Sequence, residues 1–484
     1  MVSSLLLAGM LAVANVANVV ALELDVKNKD SIKSAAKTIV EDMVKKYYPS
    51  NSTIGLIQSE YEEEDPYSPK ESAMFWDSLL NYWFLTGDDQ YNDMVSKAIL
   101  GRVGENVDFF PRDLWARSDN EDQVAWALTC LAAAEREFPN PPSGQPQWLN
   151  LSKTIFDIQA SRWDTQECDG GIRVNPYAAY NGDGYYYKHP GSWFLLLAAR
   201  LGAFTGNQTY FDWAEKEYSW AAGTPGLVTS DFAVYYGLPL TGGHCNSPVN
   251  FEYTFNQAAF LYGSAVAYNA TSSDVWRKRV EGHLERFSTF FVKESDNVNA
   301  TDSAGGDILT EQTCAKVTTL CSRDERYYKS LAARWMSQAA VSAPFIADKV
   351  GSFLQGSAAN AAKTCTGTDT GKLCGFWWET GKYAGAGKYA GGGELAEEIG
   401  ALEIIQQNLN GPHLKLATVN STISNPSVTP SSSVPAPTGT GTGTSTSSPS
   451  QGNNPSSTTG ANAAARLATN AWVVIALPAL SQLF

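Results

Sequence analysis

Two adjacent carboxylates, Glu121 and Asp122, stand at the mouth of a helical run, VAWALTCLAAAE, that is apolar on nearly every side. Asp119 and Asn120 just before them are residue types that cap a helix by accepting its free N–H groups. Acids in a first turn also suit the positive end of the helix dipole. A helix apolar all round is a buried one, so these acids sit at the edge of a core and not on a solvated flank. Neighbouring acids there suit paired acid/base or nucleophile chemistry. The helix N-terminus favours the ionised form of Glu121, and that charge raises the pKa of Asp122. Consecutive residues of a regular helix point in different directions, so the pair must use an irregular first turn to open into one cleft.

Other chemistries find little support. His189, His244, His283 and His413 lie far apart in the sequence, and no His or Cys cluster has metal-ligand spacing, so neither a metal nor a cofactor is expected. The Gly-rich stretch near 384–393 lacks the preceding strand and the Lys-Ser/Thr ending of a phosphate loop, and reads as a rim loop. A net charge of −15 leaves no basic patch to meet nucleic acid.

Positioning the acids falls to a helical scaffold. Helical patterns recur near 30–48, 71–86, 88–103, 121–138, 147–163, 191–205, 208–222, 254–269, 273–292, 325–342, 344–356 and 394–408, about twelve in all, with no convincing set of strands between them. Their character alternates. The 273–292 pattern puts Trp276, Val280, Leu284, Phe287 and Phe291 on one face and charges on the other, whereas 121–138, 191–205 and 254–269 are apolar or small almost throughout. The connections alternate too: tight turns at Gly87, Gly206-Asn207 and Ala270-Thr271, and long segments at 104–119, 164–188, 223–252, 293–324 and 357–393. Amphipathic helices outside and apolar helices inside make an all-α (α/α)6 barrel of six outer and six inner helices. A stack of helical hairpins would require a repeat period, and none is visible. The long connections then gather at one rim, with the N-termini of the inner helices.

Rim loops on a scaffold are where function concentrates. These carry Trp115, Trp163, Tyr185-Tyr186-Tyr187, Tyr235-Tyr236 and Trp377-Trp378, aromatic faces that suit sugar rings when combined with carboxylates. Asp77, Trp115, Asp169, Tyr186, Asn256, Gln257 and Trp378 are the candidates for substrate contact.

The stretches NEDQVAWALTCLAAAE, WDTQECDGGIRV, SWFLLLAARLGAFTGNQTYFDWAEKEYSW, FNQAAFLYGSAVAYN, SLAARWMSQAAVSAP and EEIGALEIIQQNL together resemble glycoside hydrolase family 76, in its fungal GPI-anchored branch of mannan endo-1,6-alpha-mannosidases of cell-wall growth. The resemblance implies an (α/α)6 barrel and a retaining mechanism on α-1,6-linked mannose, by hydrolysis or by transfer of glycan to another acceptor such as wall glucan. It implies a mannan or GPI-glycan substrate. It also places Glu121 as the nucleophile and Asp122 as the general acid/base. The family signature has Asp in the first position, where this chain has Glu121, a carboxylate about 1.5 Å farther out. A non-catalytic glycan-binding wall protein with the same fold is the alternative.

The chain's two ends point outside the cell. Residues 1–21 read as a secretory signal, 22–415 as the folded body, and 416–460 as a Ser/Thr/Pro-rich stalk too poor in apolar surface to fold. Residues 461–484, with a short apolar tail after a polar spacer, read as a GPI-attachment signal and so as a plasma-membrane or wall anchor. Sequons at Asn51, Asn150, Asn207, Asn269, Asn299 and Asn420 agree with secretion. Among the seven cysteines, Cys314/Cys321 and Cys365/Cys374 can close short loops, Cys168/Cys245 remain for a long-range bridge, and Cys130 reads as a free core thiol.

Overall fold

The computed structural model describes residues 21–57, 68–111, 118–178, 185–223, 225–240, 245–293, 307–316, 321, 324–367, 373–384 and 394–410. Outer helices α1 (Lys29–Tyr47), α3 (Asn92–Gly101), α5 (Trp148–Ser161), α7 (Gln208–Ala222), α9 (Asp274–Phe290) and α12 (Ala347–Thr364) alternate with inner ones. The inner helices are α2 (Pro69–Thr86), α4 (Asn120–Glu135), α6 (Ser192–Thr205), α8 (Thr254–Thr271), α11 (Tyr328–Ser342) and α13 (Leu395–Gln406), and a short helix α10 (Gln312–Lys316) lies between α9 and α11. Along the inner ring α2 packs on α4, α4 on α6, α6 on α8, α8 on α11, α11 on α13, and α13 returns to α2. The ring closes, and the expected (α/α)6 barrel is what the chain forms.

Composition explains the two layers. On α9 only Trp276, Val280, His283, Leu284 and Phe287 are buried, one stripe of an otherwise charged helix. Every residue of α13 is buried, and on α4 only Glu121 and Ala134 escape burial. Such helices have no solvent face because neighbours cover them on all sides.

The lower half of the lumen is filled by paired charges in addition to apolar side chains. Arg200 binds Glu135 through Nε and Nη2 at 3.1 and 2.6 Å. Arg334 joins Glu403, Ser78 and Asp77. Each of these buried cations needs its partner, since an ion left alone in a low-dielectric interior is strongly destabilising.

The rim loops contain strands that the sequence reading omitted. β1 (Tyr187–Lys188), β2 (Tyr235–Pro239) and β3 (Val249–Glu252) form an antiparallel sheet in that order, with Tyr187 opposite Pro239 and Tyr235 opposite Glu252. β4 (Val292–Lys293) pairs with β5 (Ile308–Leu309). Runs this short carry too few residues to show an alternating pattern. Disulfides Cys168–Cys245, Cys314–Cys321 and Cys365–Cys374 staple the same loops, and Cys130 is a buried free thiol. Among the described residues no helix is long and apolar enough to cross a membrane. The expected signal (1–21, of which residue 21 alone is described), stalk and anchor segments fall outside the described residues.

Candidate active site

Asp119 is the N-cap of α4. Its Oδ1 accepts the Asp122 N–H at 2.7 Å while Asp122 Oδ2 accepts the Asp119 N–H at 2.7 Å, a reciprocal capping box. The residues flanking the acids are clamped from behind. Asn120 donates Nδ2 to the Arg173 carbonyl at 2.7 Å and accepts from Arg162, and Arg162 also donates to Gln123 Oε1 at 2.6 Å. Gln123 in turn donates to the Asp108 carbonyl at 2.6 Å. With Asn120 and Gln123 held in the barrel wall, Glu121 is left partly open, as is the cap residue Asp119.

Glu121 is gripped at both oxygens. Oε1 lies 2.6 Å from His189 Nδ1 and Oε2 lies 3.3 Å from Lys70 Nζ. Lys70 belongs to the first turn of α2, and His189 directly follows β1, three residues before α6 begins. Strand alternation explains how His189 gets there. Its neighbour Lys188 points the other way, fully buried, and donates to the carbonyls of Asp164, Glu167 and Gly170 at 3.1, 2.5 and 2.6 Å. The 164–171 loop is thus wrapped around one ammonium group, and Gly191, at φ +70, turns the chain into α6 where an added Cβ would meet Glu217 at 2.1 Å.

Lys70 also approaches Asp119 at 3.6 Å and Asp324 at 3.7 Å. Burial works against the Lys70 ammonium, but Asp119, Asp324 and Glu121 outweigh it and hold its pKa well above the ordinary lysine value. The two neighbouring acids diverge. Burial by itself would raise Glu121, yet His189 and then Lys70 more than reverse this and bring it down to about 2. Burial and then the Asp119 charge push Asp122 well above the usual aspartate range, with Lys70 opposing. The two consecutive acids are thus pushed in opposite directions.

Glu121 and His189 border a hollow of about 310 Å³, mouth included, between α4 and α6, lined deeper in by Val124, Ile172, Trp193 and Phe194. From His189 a file of rings crosses the rim: Tyr236 at 4.8 Å, then Tyr253 and Tyr328 at 5.2 Å each. The cluster reaches solvent at Asp324, whose side chain is 42% exposed.

The other sequence candidates are distributed differently. Of the acid pair, Glu121 opens on the hollow, but Asp122 is only 5% exposed and is tied into the cap, so the two do not open equally into one cleft. Asp77 lies two turns down α2, paired with Arg334 and, at 3.7 Å, with Arg136 in the lower charge layer, away from the rim. Asn256 is buried and accepts from Ser192 Oγ, joining α8 to α6. Gln257 points outward to His283 Nδ1 at 2.8 Å and the Phe232 carbonyl at 3.0 Å. Trp378 is 1% exposed and stacks on Lys329, 4.0 Å from the ring centre. These four are held by contacts within the barrel's own packing. Asp169 is exposed at φ +55 beside the Cys168–Cys245 bridge, and it is Asp164 that carries the ion pairs of that loop, to Arg173 at 2.8 Å and Lys188 at 3.2 Å. Tyr186 is 48% exposed against Tyr185. Trp115 lies outside the described residues. Lys70 and Asp324 were missed, His189 was noted only among the scattered histidines and Tyr236 only among the rim aromatics; Lys70, His189 and Asp324 lie in or shortly before an inner helix, and Tyr236 lies on β2.

A closed double ring of helices with neighbouring acids at its loop-bearing rim is the architecture of a glycoside hydrolase. The chain belongs to glycosyl hydrolase family 76, whose model matches residues 31–420. It is 34% identical to mannan endo-1,6-alpha-mannosidase DCW1 of Saccharomyces cerevisiae over 390 residues, which is 80% of each chain. It is 31% identical to mannan endo-1,6-alpha-mannosidase DFG5 of the same yeast over 392 residues, again 80% of each. Among solved structures it resembles Dfg5 of Chaetomium thermophilum in complex with glucosamine, with TM-score 0.74 and 29% identity over 82% of this chain and 95% of that one. An inactive variant of a Salegentibacter α-1,6-mannanase in complex with α-1,6-mannotriose shares the fold, with TM-score 0.58 and 15% identity over 78% of this chain and 99% of that one.

Proposed function

We propose that the protein is a retaining, endo-acting glycosidase or transglycosylase on α-1,6-linked mannose in cell-wall glycans, with Glu121 as nucleophile and Asp122 as general acid/base. The observation that carries this reading is a pair of consecutive acids at the rim, Glu121 gripped at both oxygens by His189 and Lys70 and Asp122 buried in the cap, whose surroundings push their pKa values in opposite directions. The curated relatives bear the name mannan endo-1,6-alpha-mannosidase, which supplies the linkage and the sugar. In the first step ionised Glu121 attacks the anomeric carbon as Asp122 protonates the departing glycosidic oxygen, leaving a glycosyl ester on Glu121. In the second, Asp122 takes the proton of the incoming hydroxyl, which attacks the same carbon and frees Glu121. Water gives hydrolysis, and a sugar hydroxyl of wall glucan or another glycan gives transfer.

The ends of the chain support a location for this chemistry. A leader at 1–21, a stalk at 416–460 and an attachment signal at 461–484 suit export and GPI anchoring at the plasma membrane or wall. The deciding experiment incubates the secreted chain with linear α-1,6-mannan oligosaccharides and separates the products. Shortened or elongated oligosaccharides, lost in Asp122→Asn, support the proposal. Binding without turnover, unchanged by that substitution, overturns it in favour of a glycan-binding wall protein.

A further inference from the structure

Glu121 is held by residues 51 and 68 positions away in sequence, one on each side and one for each oxygen. The two holders are not equivalent. His189 meets Glu121 alone among the acids of this turn, at 2.6 Å. Lys70 sits among Asp119, Glu121 and Asp324 at 3.6, 3.3 and 3.7 Å, and its field reaches Asp122 as well. We propose that Lys70 and His189 are positioning residues for the reaction, Lys70 setting the protonation of both acids together and His189 that of Glu121 alone. The proposal rests on the assignment of Glu121 and Asp122 made above.

An ammonium group within 4 Å of a carboxylate in a poorly solvated pocket favours the ionised form. Lys70 is 7% exposed, so water screens it little. Among the described residues, Asp119 at the cap, Asp324 before α11 and the phenols of Tyr236 on β2 and Tyr328 on α11 also act on the pair. Arg173 lines the same hollow, with its guanidinium paired to Asp164 at 2.8 Å. Removing Lys70 therefore raises the pKa of Glu121 and of Asp122, and the whole bell-shaped rate profile slides to higher pH. Removing His189 raises Glu121 only, so the acid limb climbs while the alkaline limb stays, and the bell narrows.

The test measures kcat and KM on α-1,6-mannan oligosaccharides across pH for the secreted chain and for Lys70→Met, Lys70→Arg and His189→Ala. Expected are kcat losses on the order of 10²-fold, from a carboxylate displaced by about 1 Å. Limb shifts of about one pH unit, tenfold in the ionisation constant, accompany them. The limbs move in the two patterns above, and Lys70→Arg returns them to their original places. Loss of rate with both limbs unmoved means a merely structural role and overturns the proposal. Titration of the Glu121 carboxyl carbon by NMR, assigned against Glu121→Gln, reads the same effect without turnover. If the unaltered chain turns nothing over, the functional assignment fails. The proposed hold on Glu121 then survives only if this titration still moves up in Lys70→Met and His189→Ala.

Discussion

Shortening Glu121 to aspartate tests whether this side chain is matched to its surroundings. One methylene fewer withdraws the carboxylate by about 1.5 Å, one carbon–carbon bond. The contacts to His189 and Lys70, now 2.6 and 3.3 Å, would open to roughly 4 and 5 Å if nothing else moved, beyond hydrogen-bonding range. Partial collapse of the site would still leave a displacement near 1 Å, worth on the order of 10²-fold in rate, or about 2.7 kcal/mol of barrier. Stability should change by less than about 1 kcal/mol, because the helix cap is made by Asp119 and Asp122, with Glu121 outside it. The assay is initial-rate kinetics beside a denaturant midpoint. A Glu121→Asp rate equal to or above that of the unaltered chain would refute the reasoning. It would mean that the shorter acid of the family signature fits at least as well, and that the double grip on Glu121 is incidental.

Asp122→Asn should lower kcat by about 10²- to 10⁴-fold, since a positioned proton donor is lost. The alkaline decline expected of the unaltered chain, as pH rises through the raised pKa of Asp122, should vanish with it, while the amide oxygen keeps the cap and the melting temperature. Gly191→Ala places a Cβ 2.1 Å from Glu217 at φ +70 and should cost about 2 kcal/mol or more in a denaturant titration. Activity should fall as well, because His189 is two residues away. Burial pushes Glu217 up to about 8 from an ordinary value of 4.5, so the folded state holds this proton more tightly than the unfolded chain. Stability is then fullest below about pH 4.5 and declines as pH climbs toward 8, and Glu311 and Glu398 act in the same direction. Thermal melting should be higher at pH 5 than at pH 8, with a smaller difference in Glu217→Gln.

Much of the scaffold follows from interactions short in sequence. The all-round apolarity of α4 and α13, the single stripe on α9 and the cap at Asp119 are consequences of residues within a few turns of one another. Alternating helix character and alternating loop length together imply two rings. The cysteine pairs at 314/321 and 365/374 are neighbours along the chain and met as expected. The acid pair was visible for the same reason, as two charges at the start of a helix with no solvent face.

What local chemistry leaves open is which way a rim residue turns and what it meets. Asn256 and Gln257 are consecutive on α8, yet one reaches α6 and the other α9, a choice made by where the neighbouring helices stand. Trp378 resembles a surface aromatic until Lys329 slides under it. Asp77 shares a helix with Lys70, but seven residues at about 1.5 Å each carry it some 10 Å toward the opposite end of the barrel. Lys70 and His189 look unremarkable in the chain, and only closure of the inner ring carries them to Glu121. A helix can decide that an acid is buried; its charge state depends on the Lys70 and His189 side chains delivered by α2 and by the segment between β1 and α6, which no stretch of local sequence contains.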